Sequence, residues 1–174
     1  MKTFKQPCIF AVNHETFYDG PALFSYLRLV HKVKLAFMIK EEVVRDHFIW
    51  RFFIDKINYT IVKKEKPSEA VTETIKLLKR GSSVIIFPEG TTHKKETGLL
   101  LRGKTGVIRI ALEEKVPIIP TGILYWGKRR PFKMAKKICF GDPFYVKPFN
   151  SYQGLREQTD RLMKKIATLS ERKY

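Results

Sequence analysis

Short apolar runs alternate with longer amphipathic ones along this chain, and that alternation is what most limits its fold. The runs "CIFAV" (8–12), "KLAFMI" (34–39), "NYTIV" (58–62), "SSVIIF" (82–87), "VPIIPTGILYW" (116–126) and "ICFG" (138–141) read as strands. Between them lie segments with helical apolar spacing: "PALFSYLRLVHKV" (21–33), "EEVVRDHFIWRFFIDKI" (41–57), "KPSEAVTETIKLLKRG" (66–81) and "KTGVIRIALEEK" (104–115). In the clearest of these, Pro67 opens the helix, Ser68 or a neighbour caps it and Gly81 closes it. Residues 88–103 and the basic stretch 128–137 read as loops, and 151–173 as a long amphipathic helix. Strands alternating with helices predict an α/β fold: a single domain whose largely parallel mixed sheet is flanked by helices. In such sheets ligands bind at the carboxyl ends of strands.

The length of 174 residues suits one domain spanning 1–174 with a sizeable core. With 44% apolar and 29% charged residues, the composition excludes a disordered chain or a staple-dependent miniprotein. Lys and Arg number 34 against 17 Asp and Glu, a formal charge of +17 that attracts nucleic acid, anionic lipid headgroups or an acidic carrier protein without choosing among them. Cys8 and Cys139 both sit in strand-like runs and are expected to be buried thiols of a reducing compartment. No Cys/His spacing suits a metal, so none is expected. The N-terminal apolar run is too short for a signal peptide, and no run reaches the roughly 18 apolar residues of a spanning helix. The expectation is a cytoplasmic protein, peripheral on the inner face of a membrane.

Two carboxylates and a histidine occupy the predicted carboxyl edge. His14 and Asp19 follow the first strand, and Glu89 follows the fourth. On a regular helix, residues five apart lie about 140° apart around the axis, so His14 and Asp19 meet only if the chain bends from strand into helix between them. An aspartate so placed can hold one imidazole nitrogen, leaving the other to accept a proton from an alcohol.

The blocks Asn13-His14 through Asp19, "INYTIVKKEK" (57–66), Phe87-Pro88-Glu89-Gly90-Thr91 and Val116-Pro117-Ile118-Ile119-Pro120 occur in the order found in the glycerophospholipid acyltransferase family, which the chain resembles over roughly residues 7–145. "IKEEV" (39–43) and Phe140 to Pro143 match two further family segments. The resemblance implies that a fatty acyl group passes from an acyl-CoA or acyl-carrier-protein thioester to a hydroxyl of a lyso-phospholipid or related glycerolipid, with no bound cofactor and no acyl-enzyme. His14 would be the base, Asp19 its orienter and Lys40 a stabiliser of the thioester oxyanion, a role worth ~3 kcal/mol per donor. Glu89, Gly90, Thr91 and Thr92 would shape the acceptor site.

Two positions depart from the family pattern. Thr92 stands where arginine usually follows EGT, and Lys63-Lys64 stand where the second block usually ends in arginine. Arginine grips phosphate with a bidentate fork, whereas lysine is a point charge. Lys64, Lys94, Lys95, Arg102 and Lys104 are the replacements at hand, and the acceptor is left open between lysophosphatidate, another lyso-lipid and another hydroxylated molecule. Family members often carry membrane-docking helices ahead of the first strand. Here about seven residues precede it, so contact with an anionic membrane is expected from 48–54 and 125–137. The rival readings are non-enzymatic: a basic nucleic-acid-binding module or a lipid-binding one. Nucleic-acid recognition motifs are absent from the sequence, and His14, Asp19 and Glu89 favour the enzyme.

Overall fold

The computed structural model describes residues 3–16, 18–40, 59–62, 67–92, 98–126 and 134–174. The helical expectation over 41–57, the first membrane candidate at 48–54 and the lysines 64, 94 and 95 lie outside these residues, as do positions 128–133.

The strands are β1 (Ile9–Val12), β2 (Leu35–Lys40), β3 (Tyr59–Val62), β4 (Ser83–Ile86), β5 (Ile118–Trp126) and β6 (Met134–Phe140). The helices are α1 (Asp19–Leu29), α2 (Pro67–Lys79), α3 (Gly106–Glu113) and α4 (Tyr152–Leu169). They form a sheet of order β3-β2-β4-β1-β5-β6, parallel throughout except for the antiparallel β5–β6 pair. The predicted α/β class and largely parallel mixed sheet are therefore what the chain adopts.

β1 sits near the middle of the sheet and is buried along its whole length, which explains its unbroken apolar run. Its side chains divide by pleat. Ile9 and Ala11 join a core with α2, α3 and α4, centred on Leu78, Ile108, Leu162 and Ile166. Cys8, Phe10 and Val12 join a second core with Leu23, Phe24 and Leu27 of α1. Among the described residues, three helices thus cover one face and α1 the other.

The chain leaves β1 through α1 and passes over β4 to reach β2. It leaves β4 through α3 and passes over β1 to reach β5. The two connections depart in opposite directions from neighbouring strands, which opens a crevice at their carboxyl ends. The segments that carry His14 and Glu89 begin there.

Several element bounds differ from the sequence expectations for physical reasons. Helix α1 begins at Asp19, two residues before Pro21, because Asp19 in the first turn suits the positive helix end. It stops at Leu29, and Lys32 then takes a positive φ of 51°. Helix α2 starts at Pro67 itself, so Ser68 lies within the first turn rather than before it. Gly81, at φ 75°, ends that helix as expected. Residues 134–137, expected as loop, form the first half of β6, an edge strand that tolerates the two lysines of their Met-Ala-Lys-Lys sequence. For the same reason Cys139 is only half-buried, whereas Cys8 in the central strand is fully buried. Helix α4 ends at Leu169, and residues 170–174 turn away as a separate tail.

Candidate active site

The site grows from the way β1 ends. Asn13 is fully buried, and its side-chain amide donates to the Ile123 carbonyl at 3.1 Å and accepts from the Ile123 N–H at 2.7 Å. The side chain thereby imitates a peptide group. It continues the β1–β5 ladder by one step while the main chain is released to turn. Sequence reading placed Asn13 in a motif but gave it no role; its position one residue past an apolar strand was the available signal.

The released main chain is caught at once. The His14 N–H donates to Glu89 Oε1 at 2.9 Å, and the Leu101 N–H donates to Glu89 Oε2 at 2.7 Å. Glu89 is 3% exposed and uses both oxygens to tie the loop after β1 to the loop before α3. It therefore shapes the site by holding its walls. Parallel pairing of β1 with β4 is what brings these two loop starts side by side.

The expected bend from strand to helix lies between His14 and Asp19. Asp19 Oδ2 accepts from the Glu15 N–H at 2.7 Å and the Thr16 N–H at 2.8 Å, and it meets His14 Nδ1 at 3.1 Å. Oδ1 accepts from the Thr16 hydroxyl at 2.6 Å. Burial pushes this carboxyl's pKa up, but the hydrogen bonds from His14 and Thr16 outweigh burial and hold it below the usual aspartate value. Of the two neutral tautomers, the one with the proton on Nδ1 suits this carboxylate, and it leaves Nε2 with its lone pair. The Tyr125 hydroxyl is pushed up, first by burial and then by the Asp19 charge, and stays protonated.

Exposure separates the two roles. The His14 side chain is 19% exposed and that of Asp19 is 2% exposed, so the imidazole can reach a substrate and the carboxylate cannot. Phe87 stacks on the imidazole at 4.1 Å between centroids, with 23° between planes, which fixes the ring's tilt.

Phe87 through Gly90 form a tight turn closed by the Gly90 N–H donating to the Phe87 carbonyl at 3.0 Å. Gly90 has φ 71°, and a Cβ there would lie 2.6 Å from Lys104 Nζ. The glycine is required for its backbone, while the lysine tail that crosses it could swing aside. Lys104 is also anchored through its own N–H to the Pro88 carbonyl at 2.8 Å. Thr91 and Arg102 are exposed and Thr92 is half-buried on the same pair of loops. Lys40 closes β2 opposite Val62, on the same sheet edge as His14 but with β4 between. Lys64 is not among the described residues.

One participant was not anticipated. The tail after α4 returns to this edge, where Arg172 Nη2 ion-pairs with Glu15 Oε1. Its place at the end of a long basic helix gives no hint of that in the sequence.

An α/β sheet carrying a His-Asp pair at its switch point, braced by a Pro-Glu-Gly turn, matches the family profile described as Acyltransferase over residues 2–124. The chain belongs to the acyltransferase family, and by class it is an O-acyltransferase. Its relatives narrow the comparison to proteins named 1-acyl-sn-glycerol-3-phosphate acyltransferase. The chain is 31% identical to one from Bacillus subtilis (strain 168) over 147 residues, covering 80% of this chain and 70% of that protein. It is 34% identical to one from Cocos nucifera over 129 residues, covering 69% of this chain and 39% of that one. The crystal structure of the 1-acyl-sn-glycerophosphate (LPA) acyltransferase PlsC from Thermotoga maritima superposes with a TM-score of 0.65 at 26% identity, covering 92% of this chain and 65% of that one. The chain thus spans about two fifths of the coconut relative and about two thirds of the Thermotoga protein.

Proposed function

We propose that the protein transfers a fatty acyl group from a thioester, carried on coenzyme A or on acyl carrier protein, to a hydroxyl of a lyso-phospholipid or related glycerolipid. The observation that carries this reading is the His14–Asp19 pair, whose exposed member presents Nε2 as a proton acceptor. The acceptor hydroxyl gives its proton to Nε2 as its oxygen attacks the thioester carbonyl carbon. A tetrahedral oxyanion forms, with Lys40 as the proposed stabilising cation. The carbon–sulfur bond then breaks, and the departing thiolate takes the proton back from His14. No residue is acylated, and base action of this kind contributes typically ~10²- to 10⁴-fold in rate.

The acceptor's anionic group is assigned to Lys104 and Arg102, with Lys64 and Thr92 standing where the family's arginines usually do. Lys104 supports this placement because its ammonium group crosses Gly90 on the turn that also supplies Glu89. A long-chain acceptor resides in a bilayer, so the protein is proposed to work peripherally at an anionic membrane face. Among the described residues no helix is long and apolar enough to cross a membrane.

The test is an acceptor survey with both donor types. Lysophosphatidate, other lyso-phospholipids and glycerol 3-phosphate are each offered with acyl-CoA and with acyl carrier protein. Acylation of a phosphate-bearing lipid is expected with at least one donor, and no product from any combination would refute the reading. Lys104→Ala should raise the acceptor's KM more than the donor's; equal effects would remove the phosphate from Lys104.

A further inference from the structure

We infer that Arg172 is a positioning residue for acyl transfer, acting through Glu15 on the loop that carries His14; the inference rests on the reading of His14 as the base.

Four consecutive residues after β1 are each tied down. Asn13 is tied to β5, His14 through its N–H to Glu89, and Thr16 to Asp19. Glu15 gives its N–H to Asp19, while its side chain, 6% exposed, pairs with Arg172. A carboxylate this deep calls for a partner close at hand. The partner comes from the far end of the chain and is itself fixed. The Arg172 N–H donates to the Ala167 carbonyl at 2.9 Å, which folds the tail back on the end of α4.

The next residue closes a circuit. The Lys173 N–H donates to the Gly98 carbonyl at 3.0 Å, and the Leu100 N–H donates to the Lys173 carbonyl at 2.9 Å. Leu101, one residue on, donates to Glu89, and Glu89 accepts from His14. The path runs from His14 to Glu89, to the 98–101 strip, to the tail, to Arg172, to Glu15 and back to His14. A closed loop of this kind resists displacement of any one member. The imidazole is set from one side by Asp19 and Phe87, and its backbone from the other by this circuit. Arg172 touches no reacting atom in this scheme. It fixes where Nε2 stands relative to the acceptor hydroxyl, and a misplacement of about 1 Å can cost on the order of 10²-fold in rate.

The tail has a second anchor that serves as a control. The Tyr174 hydroxyl donates to Asp160 Oδ1 at 2.6 Å, away from the Glu15 loop. Tyr174→Phe loosens the tail without touching the ion pair.

The experiment measures kcat and both KM values for the wild type, Arg172→Ala, Arg172→Lys, Glu15→Gln, Tyr174→Phe and His14→Ala, each corrected for folded fraction. Arg172→Ala and Glu15→Gln should each lower kcat about 10- to 100-fold with both KM values within about twofold, the pattern of an interaction lost in the transition state. Arg172→Lys should recover most of the loss, and Tyr174→Phe should match the wild type. Wild-type kcat in Arg172→Ala would overturn the inference, as would equal losses in Arg172→Ala and Tyr174→Phe. Should Arg172→Ala not fold, Glu15→Gln decides, and wild-type kcat there overturns it. An active His14→Ala enzyme would instead bring down the base reading. An inactive one beside a fully active Arg172→Ala would bring down the positioning role alone.

Discussion

Asp19 combines structural and chemical work in one carboxylate, because the donors that fold the loop are also those that keep it ionised. Its pKa is held below the ordinary aspartate value despite burial. A depressed carboxylate stabilises the fold at every pH above its unfolded value, and the contribution is lost as pH falls through the folded value. Wild type and Asp19→Asn should therefore show a constant gap in Tm from neutral pH down to about pH 4, closing only below it. A gap that closes between pH 7 and 5 would contradict the assignment. The same substitution should lower kcat by about 10²- to 10⁴-fold, since Nδ1 loses the acceptor that fixes the tautomer. Asn13 allows a purely structural test. Asn13→Ala strands the buried N–H and carbonyl of Ile123 and should cost about 2–4 kcal/mol in urea unfolding. Asn13→Asp sets an oxygen against the Ile123 carbonyl and should cost at least as much. A milder effect would mean that the amide is not acting as a rung of the ladder.

At the scale of elements, α4 matters because it delivers the tail to the active edge. Its last turn lies against β5 at Gly122, where a Cβ would stand 2.3 Å from the Leu169 carbonyl carbon. That neighbour is backbone and cannot swing aside. Gly122→Ala should cost about 3 kcal/mol and lower Tm by roughly 5–10 °C in a thermal melt. An unchanged Tm would show that α4 can lift from the sheet at no cost. The elements also show what a sequence can convey. The strands near the middle of the sheet were legible because burial on both faces leaves an unbroken apolar run, as in β1 and β4. Edge strand β6 was read short because its first half is Met-Ala-Lys-Lys, a pattern shared with loops. The reach of Asp19 back to His14 was legible as a requirement for a bend, and the edge shared by His14 and Glu89 as a consequence of parallel pairing. The partners of Asn13 and Glu15 were not, because Ile123 and Arg172 lie 110 and 157 residues away and no local spacing encodes them.

On the scale of the whole molecule, charge and catalysis are proposed to meet at a lipid surface. A formal charge of +17 provides attraction to anionic headgroups, at about 1 kcal/mol for each basic residue held close to them. Binding to anionic vesicles should weaken steeply with salt, since the Debye length falls to about 3 Å at 1 M. Neutralising Lys128, Arg129, Arg130 and Lys133 together should weaken it further, as read by flotation. Protein that fails to float at low salt would contradict the surface reading while leaving the chemistry intact. Burial protects the central strand from reagents in the same way that it shields Asp19. The Cys8 thiol is pushed up to about 11, chiefly by burial, so thiol labelling at neutral pH should reach Cys8 only on unfolding. Prompt modification of Cys8 in the native protein would contradict that packing. The central claim, that His14 is the base of a direct transfer from thioester to hydroxyl, meets its most direct test in thioester turnover. Wild type and His14→Ala are mixed with acyl thioester and the best acceptor from the survey, and free thiol and acylated lipid are counted together. Wild type should release one thiol for each acylated lipid and carry no acyl adduct by intact mass, while His14→Ala folds normally and forms no product. A folded His14→Ala protein that still acylates the acceptor at the wild-type rate, or a wild-type enzyme that accumulates a covalent acyl group, would contradict it.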